Sequence, residues 1–222
     1  MFWTHTFMSV NMIGAILSAP LIAWICDRSL ARMRIAALAV LLDGAALLGI
    51  GLSPNYELAM LLRFAEGFFH CLALTALMAA AADAAEPARR GRMMGVVGAC
   101  MMLGTAVGTG VGGVAWKYVP GRSFEVAAIV ALIAAVFIAL SSFDTAARAA
   151  ARRPLSWLSL VRRQRGLLVP YVYTFGDRLC VGVIVSTFVL FLAQAHGLPP
   201  QSRGALLAMF MVPFALLVYP AG

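Results

Sequence analysis

The stretch Leu62-Arg63-Phe64-Ala65-Glu66-Gly67-Phe68-Phe69-His70 places an arginine, a glutamate and a histidine inside a segment that is otherwise lipid-soluble. At 3.6 residues per turn, Arg63, Gly67, His70 and Leu74 share a helix face roughly 40° wide, with Glu66 about 60° to one side. An ionisable group at the middle of a bilayer costs about 2.5 kcal/mol or more. Such a face is therefore expected to turn toward a cavity or a partner helix and to mark a solute or ion path. The plainer alternative is that Arg63 and Glu66, spaced i,i+3, neutralise each other as a packing device.

The rest of the chain supplies the bilayer. Of 222 residues, 63% are hydrophobic and 12% charged, and the mean hydropathy is +0.92. A soluble globule cannot bury that much apolar surface, so an all-α membrane protein is expected. The net charge of +8 is explained below by where the arginines sit, and no nucleic-acid partner is implied. Cys26, Cys71, Cys100 and Cys180 stand singly in apolar segments, which indicates neither a disulfide framework nor a metal-ligand pair. No cofactor is indicated and no enzymatic site is read. Met1 to Thr6 lacks a basic leader and the first apolar run continues to Ile25, so no cleavable signal is expected.

Seven spans follow from length and hydropathy. They run from Phe2 to Ile25, Ile35 to Leu52, Leu58 to Ala82, Met93 to Trp116, Ser123 to Phe143, Leu167 to Ala193, and Arg203 or Gly204 to the end. Asp43 is an acid near the middle of the second, and Asp177-Arg178 lie in the sixth, where neighbours point about 100° apart. In the fourth, Gly104, Gly108 and Gly112 advance by four and are followed by Gly113; this lays a shallow groove for a close neighbour. Residues 1–143 are read as one five-helix bundle, 144–166 as a basic linker able to lie on an anionic membrane face, and 167–222 as the start of a second bundle.

Charge gives the orientation. One set of loops holds Arg28, Arg32, Arg34, Arg89, Arg90, Arg92 and six linker arginines, twelve in all, while the other holds only Lys117, Arg122 and Arg203. Positive residues stay cytoplasmic, so the expected setting is the cytoplasmic membrane with the N-terminus outside and the basic loops inside.

Three stretches, in this order, resemble the major facilitator superfamily, whose members have twelve helices in two halves. The turn holding Asp27, Arg28, Arg32 and Arg34 is similar to the family's basic motif between its second and third helices. Leu62-Arg63 with Gly67 resembles the fourth-helix motif. Gly104 to Gly113 looks like the fifth-helix motif of antiporters, with Thr109 where that motif has proline. The resemblance implies an MFS-type helical bundle, incomplete relative to the family, with one helix absent before and four after. A second chain could then supply the missing helices. It also implies a secondary transporter for a small organic solute, proton-coupled and exporting.

By the same resemblance, Asp27, Arg28 and Arg32 gate the cytoplasmic side. From the residues themselves, Arg63, Glu66, His70, Asp43, Asp177 and Arg178 are the candidates for the substrate and proton path, with Glu66 and Asp43 as alternative proton carriers and pairing across helices as the other use of Asp177 and Arg178. A non-transporting fragment or assembly partner is a second reading. A seven-helix receptor is a third, although a retinal-type pigment needs a lysine deep in a span and Lys117 sits at a loop.

Single cysteines introduced at positions 90 and 153 should react with a membrane-impermeant thiol reagent from one face of the membrane, and a cysteine at position 118 from the other. Labelling of 90 and 153 from opposite faces would remove the topology.

Overall fold

The computed structural model describes residues 2–28, 31–141, 166 and 168–221. Among the described residues seven long helices follow one another: α1 (Phe2–Arg28), α2 (Arg32–Leu52), α3 (Tyr56–Ala84), α4 (Arg90–Tyr118), α5 (Ser123–Leu140), α6 (Leu168–Gln194) and α7 (Pro200–Ala221). A 3-10 turn, Pro87–Arg89, leads into α4, and there is no strand among the described residues. α1 to α6 each contain a segment long and apolar enough to cross a membrane. This is an all-helical, multi-pass membrane protein. The linker expected at 144–166 lies outside the described residues, apart from Gly166.

Most helices overrun the apolar spans read from hydropathy, for local reasons. α3 starts at Tyr56 because Asn55, extended at the N-cap, accepts a hydrogen bond from the Leu58 N–H through Oδ1 at 2.9 Å. α7 starts at Pro200, where a missing N–H costs nothing at the first helical position. The turns before α5 and α7 are made by Gly121 and Gly197, with φ of +79° and +59°.

The bundle is inside-out relative to a soluble fold. Large apolar side chains such as Ile16, Leu38, Ile133 and Phe137 point outward, while the buried residues of α2 and α3 are chiefly small or ionisable, alanine being the commonest. On α2 the buried residues are Arg32, Ala36, Ala39, Asp43, Gly44, Ala46 and Ile50, and the row 32, 36, 39, 43, 46, 50 advances by alternating fours and threes. On α3, Ala59, Glu66, Ala73 and Ala80 recur every seven residues, with Ala76 and Asp83 on the adjoining row. That period of 3.5 winds two helices around each other with a left-handed crossing. Because the seam residues are small, the helix axes come close, and van der Waals contact replaces the missing hydrophobic drive. Ile22 and Cys26 of α1 close the same cluster around Ala36, Ala39, Leu72, Ala73 and Ala76.

α5 packs on the outer side of α2, and α4 lies chiefly against α7. There, Ala106 meets Leu207 and Met211, with Phe188 and Val189 of α6 alongside.

The tightest crossing is between α1 and α3. A Cβ built on Gly67 would overlap the backbone carbonyl of Asn11, and one built on Gly14 would overlap that of Phe64. Neither neighbour is a flexible side chain, so the backbones themselves would have to part. Gly67→Ala should therefore lower stability in detergent by about 1–3 kcal/mol, the usual cost of overpacking. Gly104→Ala, with nothing within 4 Å of its Cβ position, should be neutral or raise stability by up to about 1 kcal/mol through helix propensity. Thermal unfolding of the two purified variants distinguishes these outcomes.

Candidate membrane-embedded polar site

Three helices bring a polar cluster together within the apolar bundle. α3 contributes Arg63, Glu66 and His70 from successive turns, α2 contributes Asp43 from its alanine seam, and α1 contributes Asn11 where its backbone crosses Gly67. Arg63 Nη1 lies 3.1 Å from Glu66 Oε2, and His70 Nδ1 lies 4.0 Å from Asp43 Oδ2. One donor atom from each of Asp43, Glu66 and His70 falls within 4.8 Å of the other two. The Arg63 guanidinium also stands 5.3 Å from the centre of the Phe7 ring, whose edge meets Phe124.

Burial within the cluster is graded. Glu66 is 6% exposed, Asp43 and Asn11 are each 9% exposed, and the imidazole of His70 is 64% exposed. The cluster is closed on the α1–α2 side and open at His70.

Its hydrogen bonding is incomplete. Asn11 Oδ1, Asp43 Oδ1, Arg63 Nε and Glu66 Oε2 are buried without a hydrogen-bond partner. Glu66 Oε2 is therefore near a cation but not aligned with one of its N–H groups. A buried polar atom left in this state costs about 1–3 kcal/mol, and more if charged. With His70 neutral, two carboxylates face one guanidinium, and protonation of the imidazole would balance the charge.

A second polar contact fastens the arginine-rich end of the same helix pair. Arg32, the first residue of α2, donates through Nη1 to Asp83 Oδ2 near the end of α3, and also to the Ala79 carbonyl at 3.1 Å. Both side chains are buried, Asp83 to 4% exposure. The eleven residues from Arg32 to Asp43 span about 16 Å at 1.5 Å per residue, which separates the two polar contacts by roughly half a hydrocarbon core.

The structure sorts the residues singled out by sequence. Arg63, Glu66, His70 and Asp43 meet. Asp177 and Arg178 sit on α6, and their side chains lie outside the described residues. Of the turn residues, Arg32 is buried in its ion pair, whereas Asp27 and Arg28 are exposed and the Arg28 guanidinium lies 4.5 Å over the Trp24 ring.

Of the α4 glycines, Gly113 meets a close neighbour, while Gly104, Gly108 and Gly112 have nothing within 4 Å of a Cβ position among the described residues. The close neighbour is on the adjacent face. Gly113 abuts Pro200 and Gln201, and Gly204 of α7 abuts the Thr109 carbonyl. Spacing by four was satisfied by two parallel rows, and the partner helix chose the other one. In the sequence Asn11 reads only as a polar interruption of the first span and Asp83 only as the start of a loop; an acid in the last turn before a basic loop was the available signal for Asp83.

A multi-pass bundle that keeps carboxylates, a guanidinium and an imidazole inside its span belongs to the class of membrane proteins built around an intramembrane polar centre. The family can be stated: the model of the Major Facilitator Superfamily matches residues 4–222 of the 222, and the chain belongs to that superfamily of transporters. No curated protein and no solved structure gives a match.

Removing one partner of the Arg32–Asp83 contact strands a buried charge. Arg32→Gln or Asp83→Asn should lower stability by about 3–5 kcal/mol, while Arg32→Leu with Asp83→Leu should recover most of the loss. A double-mutant cycle on thermal unfolding in detergent measures this, and additive single effects would show that the two side chains do not interact.

Proposed function

We propose that the protein is a proton-coupled secondary transporter that exports a small organic solute across the cytoplasmic membrane, with its N-terminus outside and its arginine-rich loops inside. The observation that carries this reading is the Glu66 carboxylate, 6% exposed, with one oxygen lacking a hydrogen-bond partner beside Arg63 and within reach of Asp43 and His70. A carboxylate held this way is costly when charged and easily relieved by a proton, which is the property a coupling group needs. Arg63, 3.1 Å away, is the counter-charge.

In this scheme Glu66 carries the proton, Asp43 and His70 relay it to the open side of the cluster, and Arg63 attracts an anionic or hydrogen-bonding part of the solute. Asp177 and Arg178 are proposed as further groups of the substrate and proton path, and Asp27, Arg28 and Arg32 as the gate at the basic end. The Arg32–Asp83 pair, which ties that end of α2 to α3, supports the assignment of Arg32 to the gate.

The test is proton movement in proteoliposomes carrying an internal pH dye, challenged with outward gradients of a panel of small organic solutes. At least one solute should drive proton entry, and Glu66→Gln and Arg63→Gln should reduce that entry to background. Flux unchanged by both substitutions would overturn the reading.

A further inference from the structure

The donor set at the polar centre suits more than a proton. We infer that Asp43, Glu66 and His70 form a binding site for a divalent transition-metal cation of borderline character, such as Mn²⁺, Co²⁺ or Zn²⁺. The inference concerns the same cluster as the proposed coupling site, but metal binding can be read without transport.

Four observations carry it. First, the three donor atoms already lie within 4.8 Å of one another. A cation bound at about 2.1 Å in tetrahedral geometry holds its ligands about 3.4 Å apart. A closure of roughly an ångström is needed, and His70, with its exposed imidazole, is the residue able to move.

Second, Asp43 Oδ1 and Glu66 Oε2 are buried lone-pair donors with no hydrogen-bond partner, on residues 9% and 6% exposed. Asn11 lies against the Glu66 carboxylate and leaves its own Oδ1 unpartnered, so a further oxygen borders the same space.

Third, one imidazole nitrogen with two carboxylate oxygens is the mixed N/O set that divalent first-row cations accept. Cu⁺ would require sulfur, and Ca²⁺ six or more oxygens. Fourth, the open side at His70 leaves a coordination position for water or solute, as in sites that do more than hold structure.

Arg63 is the opposing charge. Its contact with Glu66 lacks a hydrogen bond, and the Phe7 ring 5.3 Å away offers the guanidinium another attractive partner. Metal binding would transfer Glu66 from Arg63 to the cation and should compete with protons for the three donors. No sequence motif announces the site, because its ligands come from two helices and only Glu66 and His70 share one.

The test uses the purified full chain, without a histidine tag, in detergent micelles. Titration with Co²⁺ alone should give one equivalent per chain with a visible ligand-field band, displaced by Zn²⁺. His70→Asn, Asp43→Asn and Glu66→Gln should each weaken binding by more than the about 10- to 100-fold that loss of an outer-shell partner costs. Arg63→Gln should tighten it, an effect that casual binding to an exposed histidine would not show. If Glu66→Gln does not purify folded, His70→Asn at its exposed position and Arg63→Gln carry the decision.

Absence of a stoichiometric band, or binding indifferent to His70→Asn and Arg63→Gln, would overturn the inference. The two proposals fail separately: Co²⁺ binding without solute-driven proton flux would remove only the transport reading, and flux without Co²⁺ binding would remove only the metal site.

Discussion

A charge placed in hydrocarbon has to find its counter-charge inside the bundle, and that constraint orders the first three helices. Arg32 with Asp83, and Arg63 with Glu66 beside Asp43 and His70, account for most of the ionisable groups buried between α1, α2 and α3. Each pair demands a set distance between backbones, and the small residues around them supply it. Glycine at 14 and 67 brings α1 onto α3, and alanine along 36, 39, 73, 76 and 80 brings α2 onto α3. Small-residue packing and polar pairing are two halves of one solution, because short charged side chains such as aspartate reach a partner only where helices nearly touch.

The two polar contacts differ in kind. The Arg32–Asp83 pair is buried on both sides and reinforced by the Ala79 carbonyl, which suits a fastening. The cluster around Glu66 is under-bonded, open on one side and built from groups able to exchange a proton. Stability elsewhere in the bundle has to offset what that second arrangement costs. This pattern is usual where a site is kept ready for a ligand rather than optimised for folding.

How far the fold could be read in advance follows from the range over which each signal acts. Helix existence was legible because lipid length and hydropathy are local, and the start of α5 at Ser123 matched the expectation. The Arg63–Glu66 contact was legible because i,i+3 neighbours on a helix meet whatever surrounds them. The approach of Asp43 to His70 was not, since it depends on the register of α2 against α3, which hydropathy does not encode. The glycines of α4 divide for a related reason: Gly113 packs against Pro200 and Gln201 whereas Gly104, Gly108 and Gly112 meet no described neighbour, and periodicity shows that a row is narrow but not which of two narrow rows a neighbour takes. Asn11 stands out in the sequence only as a polar interruption of the first span, because its place in the cluster comes from the backbone crossing at Gly67, a contact between distant parts of the chain.

The alanine seam has a mechanical corollary. Methyl groups interlock less deeply than larger side chains, so along much of its length the seam resists sliding weakly, with Leu62 of α3 seated against Gly49 of α2 as a local catch. The Arg32–Asp83 and Asp43–His70 contacts, about 16 Å apart along α2, act as dowels that help set where the two rods stop.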